Sequence, residues 1–186
     1  MKRLVAAGAV LLALIALALV LSVRLPGGPL DAGGGWGTGA PLHAGRPITA
    51  GLYELRNTGN RSIEIEDVAL ADHTEGLHFL AAFALKRGPS PALTTGFPPD
   101  MVQARSDLRA AEGLVLRGHE TVPLLIGMRA DAPGPYRLEG LEVEYRVRLA
   151  GTLGPRFRRT IGGLTTMCLE GAPPKRPRCD PPATAS

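Results

Sequence analysis

The amino-acid sequence predicts an all-β protein, an antiparallel sandwich that follows one N-terminal transmembrane helix. Short segments of alternating apolar and polar residues follow one another from residue 48 to about residue 170, separated by turns rich in Gly and Pro. Before them lies one long apolar run without charge. Because several short strands joined by turns pack as two antiparallel sheets, residues 48–170 are predicted to form one sandwich domain.

The N-terminal run has the length of a membrane span. Leu4 to Val23 carries no charge, and its 20 residues would span about 30 Å as a helix, the thickness of a hydrocarbon core. The run is longer than that of a removable signal peptide, and the sequence SVR that ends it is a poor cleavage site. Residues 1–24 are therefore predicted to be an uncleaved signal anchor, although a cleaved signal remains the alternative.

The charges beside the apolar run predict its orientation. Lys2 and Arg3 lie with the N-terminus on one side of it, and Arg24 lies alone on the other. Positive charge favours the cytoplasmic side, so the N-terminus is predicted to be cytoplasmic and the body extracytoplasmic. The predicted location is the cell membrane, with a single pass.

Two segments flank the predicted sandwich. Residues 25–47 are rich in Gly and Pro and are predicted to form a flexible tether, because they contain too little apolar surface to offset the entropy of ordering them. Residues 171–186 are dominated by Pro, small and charged residues, and are predicted to be a tail without regular structure.

Alternation is clearest in the segment LEVEYRVRL, which predicts a strand with one buried and one wet face. A turn then separates it from RFRRTIGGLTTMCL, and this predicts a hairpin. The segment TVPLLIGM predicts a second strand with Val122, Leu124, Ile126 and Met128 on one face. LHFLAAFAL is compatible with a buried strand or a short helix, and residues 101–111 with one or two helical turns.

The segment LRNTGNRSIEIEDV is predicted to be a turn and a strand with a defect. ITAGLYEL before it and SIEIEDVAL within and after it are predicted to pair, since Asn and Gly suit a reversal of the chain. Ile63 and Ile65 share one face of the second strand, but Val68 and Leu70 fall on the opposite parity. A bulge near Glu66 would place all four on one side.

These segments carry a resemblance to a known family. The motifs LRNTGN, SIEIEDV and GHETVPLLIGMRADAPGPY resemble those of bacterial immunoglobulin-like domains of the abnormal-spindle/hydin/major-sperm-protein type, over roughly residues 48–165. They also resemble membrane-tethered extracytoplasmic actinobacterial proteins that carry such domains. The resemblance implies an immunoglobulin-like sandwich that serves as an interaction or scaffold module, and it transfers no catalytic residue.

Two cysteines lie near the C-terminus. Cys168 and Cys179 are predicted to form a structural disulfide, because paired cysteines outside the membrane usually oxidise. Closing a loop of this size removes about 3 kcal/mol of chain entropy from the unfolded state. A metal pair would need further Cys or His ligands, and a redox pair would normally be Cys-x-x-Cys.

Catalytic and metal-binding patterns are missing from the sequence. No serine lies in a Gly-x-Ser-x-Gly or Ser-x-x-Lys motif, and the paired carboxylates Glu64/Glu66 and Glu142/Glu144 alternate with apolar residues as on a solvated strand face. The group Asp72, His73, Glu75 and His78 is predicted to be a solvated loop rather than a metal site. No catalysis and no cofactor are expected.

Arginines accumulate late in the chain. Arg146, Arg148, Arg156, Arg158 and Arg159 are predicted to form either an ordinary solvated polar face or a face that attracts an anionic partner. The partner would be an envelope protein or an anionic wall polymer, besides the membrane itself. Nucleic acid is not expected outside the membrane, and aromatic residues for base stacking make up only 4%.

Two functions remain open at this point. The first is a membrane-tethered extracytoplasmic binding or scaffold module of the cell envelope. The second is an envelope enzyme or a metal- or ligand-carrying domain whose site lies in the irregular region 84–115, because long loops in compact domains are often functional.

Overall fold

Strands make up all the regular secondary structure of the residues that this computed structural model describes, which are 24–34, 42–85, 93–97, 108–149 and 152–170. The strands are β1 (Arg24–Pro26), β2 (Leu30–Gly34), β3 (Leu42–His43), β4 (Pro47–Asn57), β5 (Ile63–Leu70), β6 (Leu77–Leu85), β7 (Leu93–Thr95), β8 (Leu108–Ala110), β9 (Val115–Leu116), β10 (Thr121–Ala130), β11 (Gly134–Leu138), β12 (Leu141–Leu149), β13 (Thr152–Ile161) and β14 (Thr165–Glu170).

Two large sheets form a sandwich. The front sheet has the order β1-β13-β12-β5-β9, and the back sheet has the order β2-β4-β10-β6-β8, with β7 also pairing with β4. A small third sheet has the order β11-β14-β3. The strands β2-β4-β10-β6 and β5-β12-β13 take the positions A-B-E-D and C-F-G of an immunoglobulin constant-type sandwich. The predicted all-β, immunoglobulin-like fold is confirmed.

The core lies between the two large sheets and is mainly aliphatic. The alternation predicted for β10 is confirmed, since Val122, Leu124, Ile126 and Met128 are all buried. From the front sheet, Leu141, Val143 and Tyr145 of β12 are fully buried against them. Burying an aliphatic side chain of this size stabilises the folded state by about 1.5–3 kcal/mol, so this core is the main source of stability.

The strands β4 and β5 do not pair, contrary to the hairpin predicted from LRNTGN. β4 belongs to the back sheet and β5 to the front sheet, so residues 58–62 carry the chain from one sheet to the other. Both a hairpin and such a crossing need Asn and Gly where the chain reverses, and the local sequence does not distinguish them.

The side chain of Asn57 fastens this crossing. It is fully buried, and its Nδ2 donates to the carbonyls of Arg61 at 2.8 Å, Leu116 at 3.2 Å and Arg117 at 2.8 Å. Its Oδ1 accepts from the amide of Gly59 at 3.0 Å. One amide group therefore holds together the crossing and the start of the loop that follows β9.

The bulge predicted near Glu66 is confirmed. In the pairing of β12 with β5, Glu144 lies opposite Asp67 and Tyr145 opposite Ile65, which leaves Glu66 without a partner residue. Because of this extra residue, Ile63, Ile65, Val68 and Leu70 all point into the core.

The hairpin predicted after LEVEYRVRL is also confirmed, as β12 pairs antiparallel with β13. LHFLAAFAL is a strand, β6, and not a helix. Leu108–Ala110 is the strand β8 where helical turns were predicted, whereas residues 101–107 lie outside the described residues.

The predicted tether is wrong for much of its length. Arg24–Pro26 pairs in parallel with Arg156–Arg158 of β13, and Leu30–Gly34 pairs with β4. The side chain of Leu30 is fully buried in the core. The prediction from composition was wrong because backbone hydrogen bonds and one buried side chain are enough to hold an edge strand. The Gly-rich segment Leu30–Gly34 provides the backbone groups, and Leu30 provides the side chain.

The hydroxyl of Tyr145 fixes the first strands to the core. It donates to the carbonyl of Gly27 at 2.7 Å and accepts from the amide of Leu30 at 3.3 Å. The Tyr145 ring stacks on Phe157, and Gly28 leaves room for the Tyr145 hydroxyl and the Phe157 ring, since a Cβ at residue 28 would collide with both. The chain can thus pass from the front sheet at β1 to the back sheet at β2.

The predicted anchor (residues 1–23) and the predicted tail (171–186) lie outside the described residues. Within the described ranges no helix is long and apolar enough to cross a membrane.

Part of the irregular region 84–115 covers the outer face of the back sheet. β7 pairs with β4 and β8 with β6, on opposite sides of the central strand β10. The ring of Phe97 lies over Gly127 of β10, where a Cβ would collide with it, and 5.4 Å from the ring of Phe83. Leu85 and Leu125 are fully buried in this second apolar cluster.

Replacing Asn57 with Ala is expected to lower the free energy of unfolding by about 3 kcal/mol, because several buried backbone groups would lose their partner. Urea unfolding followed by circular dichroism measures this loss. The matched control is Asn60→Ala, since the Asn60 side chain is exposed and, within the part of the chain that the structure describes, bonds only to His119. Equal losses for both variants would contradict the role given to Asn57.

Replacing Tyr145 with Phe is expected to lower the free energy of unfolding by about 1 kcal/mol and to speed amide hydrogen exchange across residues 24–34.

Burial raises the pKa of Tyr145 above its usual 10.0. Below pH 10 both states hold a neutral tyrosine, and above it the unfolded chain ionises first, so stability falls as pH rises. Urea unfolding against pH should show a shallower fall for Tyr145→Phe. An unchanged slope would count against this linkage.

Candidate functional site

The outer face of the front sheet is densely charged, and we name it the charged face. This face arises because successive side chains of a strand point to opposite sides of the sheet, so every second residue of β5, β12 and β13 points away from the core. Its charged members are Glu64, Glu66, Asp67, Glu142, Glu144, Arg146, Arg148, Arg156 and Arg158. Four of the five predicted arginines therefore do share one face.

Glu66 is the centre of the ion pairs on the charged face. Its two carboxylate oxygens lie 2.5 Å from Nε of Arg146 and 2.6 Å from Nε of Arg156. The two N–H bonds are not aligned for hydrogen bonding, so the attraction is one of charge. All three side chains are only 20–27% exposed, which weakens screening by solvent. The bulge places Glu66 where both arginines reach it.

A second group of ion pairs lies towards the other end of the same strands. Arg158 contacts Glu142 at 2.6 Å and Glu144 at 3.5 Å. Glu144 is only 7% exposed although it points outwards, because the neighbouring side chains cover it. Arg148 and Glu64 form a looser pair at 3.7 Å.

Arg159 does not belong to this face, contrary to the prediction. Arg158 and Arg159 are consecutive in a strand, so their side chains point to opposite sides. Arg159 instead turns towards the first strands, where it lies 3.5 Å from Asp31 and donates to the carbonyl of Gly28 at 3.2 Å.

The charged face is balanced in sign. Its four arginines stand among five carboxylates, and each arginine has at least one carboxylate within ion-pair distance. An anionic polymer would therefore meet more negative than positive groups. The face offers instead a rigid pattern of both signs, which suits a partner surface with a complementary pattern.

The other predicted site residues do not lie on the charged face. They are spread over the end of the sandwich where β5 ends and β6 begins. His78 Nε2 lies 2.8 Å from Asp131 Oδ2, and His73 Nδ1 lies 2.8 Å from the carbonyl of Ala71. Among the described residues no three His, Cys, Asp or Glu side chains are placed to hold a metal ion. Cys168 lies exposed on β14 and Cys179 outside the described residues, so their disulfide stays a prediction.

A groove of about 440 Å³ opens between β8 and the start of β10. It lies partly in the region 84–115 and is lined by Ala84, Arg109, Leu114, Val115, Arg117, Glu120 and Val122. The region 84–115 was expected to hold a site, but the contribution of Arg117, Glu120 and Val122 was not predicted, because they come from a later segment.

The balance of positive and negative charges on the charged face was also not predicted. The signal was present, since acidic pairs on β5 and β12 share the spacing of the arginines. Only the strand order, which puts β12 between β5 and β13, shows that acid and base meet.

Replacing Glu66 with Gln is expected to lower the free energy of unfolding by about 1–2 kcal/mol, because two half-buried guanidinium groups lose their counter-charge. The matched control is Glu64→Gln on the same strand, whose looser, more exposed pair should cost less than about 0.5 kcal/mol. Thermal unfolding at low and high salt measures both. A loss at Glu64 as large as that at Glu66 would contradict the assignment.

Comparison with known proteins places the chain in no family. No protein-family model matches it, and no curated protein matches it. Among solved structures it is similar to the ASH/PapD-like domain of human CEP192 (PapD-like domain 7), with 12% identity and a TM-score of 0.31, over 76% of this chain and 90% of that chain. At this TM-score the similarity adds nothing to the fold assignment, which rests on the strand order of this chain.

Proposed function

We propose that the protein is a membrane-tethered, extracytoplasmic binding or scaffold module of the cell envelope, and that its charged face binds a protein partner. The observation that carries this proposal is the fixed pattern of arginines and carboxylates on the front sheet. It lies on a flat surface of three adjacent strands rather than in a cleft.

The chemistry of this face favours a protein over an anionic wall polymer. Arginine is enriched in protein interfaces, where its planar group forms directed contacts with carboxylates and carbonyls. The ion pairs hold Arg146 and Arg156 in place before a partner binds, so less side-chain entropy is lost on association. The interleaved carboxylates would repel a polymer of phosphate or carboxylate groups.

The membrane tether is proposed from the sequence. The run Leu4–Val23 has the length and apolar character of a span, and Lys2 and Arg3 favour a cytoplasmic N-terminus. Such an anchor would hold the sandwich outside the membrane, where a non-enzymatic scaffold would meet other envelope proteins.

The groove beside β8 supports a second function, a domain that carries a small ligand. Arg109, Arg117 and Glu120 line it together with Leu114 and Val115, and the two arginines outnumber the one carboxylate, so a small anion with an apolar part would fit its chemistry. The groove overlaps part of the region 84–115, and it would compete with the scaffold function only if it binds its ligand stoichiometrically.

Photo-crosslinking in the producing cells tests the scaffold function. Benzoylphenylalanine placed at Thr160, which is exposed on the charged face beside Glu142, is expected to capture a specific protein. The matched control is the same substitution at Thr166, which is exposed on β14 in the third sheet. Adding Arg158→Glu to the Thr160 variant should reduce the yield several-fold.

Two outcomes would overturn the proposal. The same products from Thr160 and Thr166, or no protein product from Thr160, would exclude the charged face as the binding surface. Protease treatment of intact and of envelope-permeabilised cells tests the location. A sandwich that stays protected when only the outer barriers are open would contradict the extracytoplasmic orientation.

A further inference from the structure

The charges of the charged face change sign across the sheet. The pairing register aligns them in rows that cross β5, β12 and β13 in that order. The first row consists of Glu64, Arg146 and Arg156, and the second of Asp67, Glu144 and Arg158. Both rows begin with a carboxylate on β5 and end with an arginine on β13, and only the residue on β12 differs in sign between them.

The sign also changes along the middle strand. β12 directs Glu142 and Glu144 outwards first and then Arg146 and Arg148, because alternate residues of a strand share one face. A single diagonal, which we name the dividing line, therefore separates the strand positions of all the carboxylates from those of all the arginines. The acidic half consists of Glu64, Glu66, Asp67, Glu142 and Glu144, and the arginine half consists of Arg146, Arg148, Arg156 and Arg158.

Ion pairs within the chain bridge the dividing line but leave charge exposed on both sides of it. In the arginine half, Arg148 and Arg158 are still 44% and 47% exposed. In the acidic half, Asp67 is exposed and has no ion-pair partner in the part of the chain that the structure describes. Each half can therefore still attract a group of the opposite charge.

A face divided in this way is complementary to itself. When a second copy faces the first, related to it by half a turn about the dividing line, its acidic half covers the arginine half of the first copy and its arginine half covers the acidic half. Such a two-fold contact uses the same patch on both copies, so it closes as a dimer and does not continue into a filament. Both halves of the face then meet opposite charge.

We propose that the partner of the charged face is a second copy of this chain, bound face to face about the dividing line. This inference rests on the proposed function, which requires only that the face binds a protein. The three strands are about 14 Å wide and the four charged rows about 27 Å long, so the face covers roughly 400 Å² on each copy. This is less than in a standard interface of about 800 Å² per partner, and the dimer is therefore expected to be reversible.

Photo-crosslinking of the purified full-length protein in detergent solution tests this inference, because no other protein is present. Benzoylphenylalanine at Thr160, which lies beside Glu142 on the charged face, is expected to give a product of twice the mass of the chain. The yield should rise with protein concentration and fall several-fold at high salt, which screens exposed charges. The control is the same group at Thr166 on β14, which should give little of this product.

Charge reversal on either half tests whether the two halves meet. Arg148→Glu with Arg156→Glu in the arginine half is expected to lower the yield from Thr160 several-fold, and so is Asp67→Lys with Glu142→Lys in the acidic half. An equal mixture of the two variants should restore part of the yield. The reason is that the unchanged acidic half of the first variant can still cover the unchanged arginine half of the second.

A matched variant on the back sheet controls for net charge. Arg56→Glu with Arg129→Glu alters the net charge as much as the reversal in the arginine half, but both residues are exposed on the other sheet. This variant should leave the yield from Thr160 unchanged. Circular dichroism checks the fold of each variant, and the salt dependence of the unsubstituted face decides the test if a variant does not fold.

The outcomes separate this inference from the proposed function. Equal yields of the doubled product from Thr160 and Thr166, or no such product from Thr160, would overturn the binding of a second copy. If Thr160 then captures a different protein in the producing cells, the proposed function stands with another partner. If it captures no protein there either, both proposals are overturned.

Discussion

The packing of two sheets against each other depends on the chain crossing from one sheet to the other directly after β4, and the buried amide of Asn57 makes that crossing possible. The reversal at Arg61 and the segment after β9 at Leu116 and Arg117 leave backbone carbonyls at the edge of the core. Asn57 donates to these carbonyls and accepts from Gly59, so the crossing carries few unsatisfied polar groups. A hairpin in the same place would have put β4 and β5 in one sheet and left the apolar faces of both sheets uncovered.

The bulge at Glu66 links the core to the surface. The extra residue changes the parity of β5, so the apolar residues on both sides of it enter the core. The same insertion leaves two consecutive acidic residues, Glu66 and Asp67, directed outwards. Glu66 then lies between Arg146 and Arg156, and the two arginines are fixed by its carboxylate. One irregularity of the backbone therefore determines both the packing inside and the charge pattern outside.

Much of the fold was predictable because alternation reports directly on which residues face the core. The faces of β10 and β12, the hairpin to β13 and the bulge all followed from the parity of apolar residues. Sheet membership did not follow, since the pairing of β4 depends on partners such as Ile48 with Met128 that lie far apart in sequence. Composition misled at residues 25–34, where the buried Leu30 and the hydroxyl of Tyr145 order a Gly-rich segment.

The candidate site was predictable only in part. Four of the predicted arginines share a face because they alternate along β12 and β13, and Arg159 fails because it follows Arg158 directly. The balancing carboxylates come from β5 and β12 themselves, so the net charge of the face depends on which strands are neighbours.

The parallel pairing of β1 with β13 has a mechanical consequence. A force that pulls the chain at Arg24 along the strand would load the hydrogen bonds between these strands in shear, so they must break together rather than one after another. The next point of resistance is the Tyr145 hydroxyl at Gly27 and Leu30, followed by the pairing of β2 with β4. Tension from the N-terminal side would thus pass first into the front sheet and then into the back sheet.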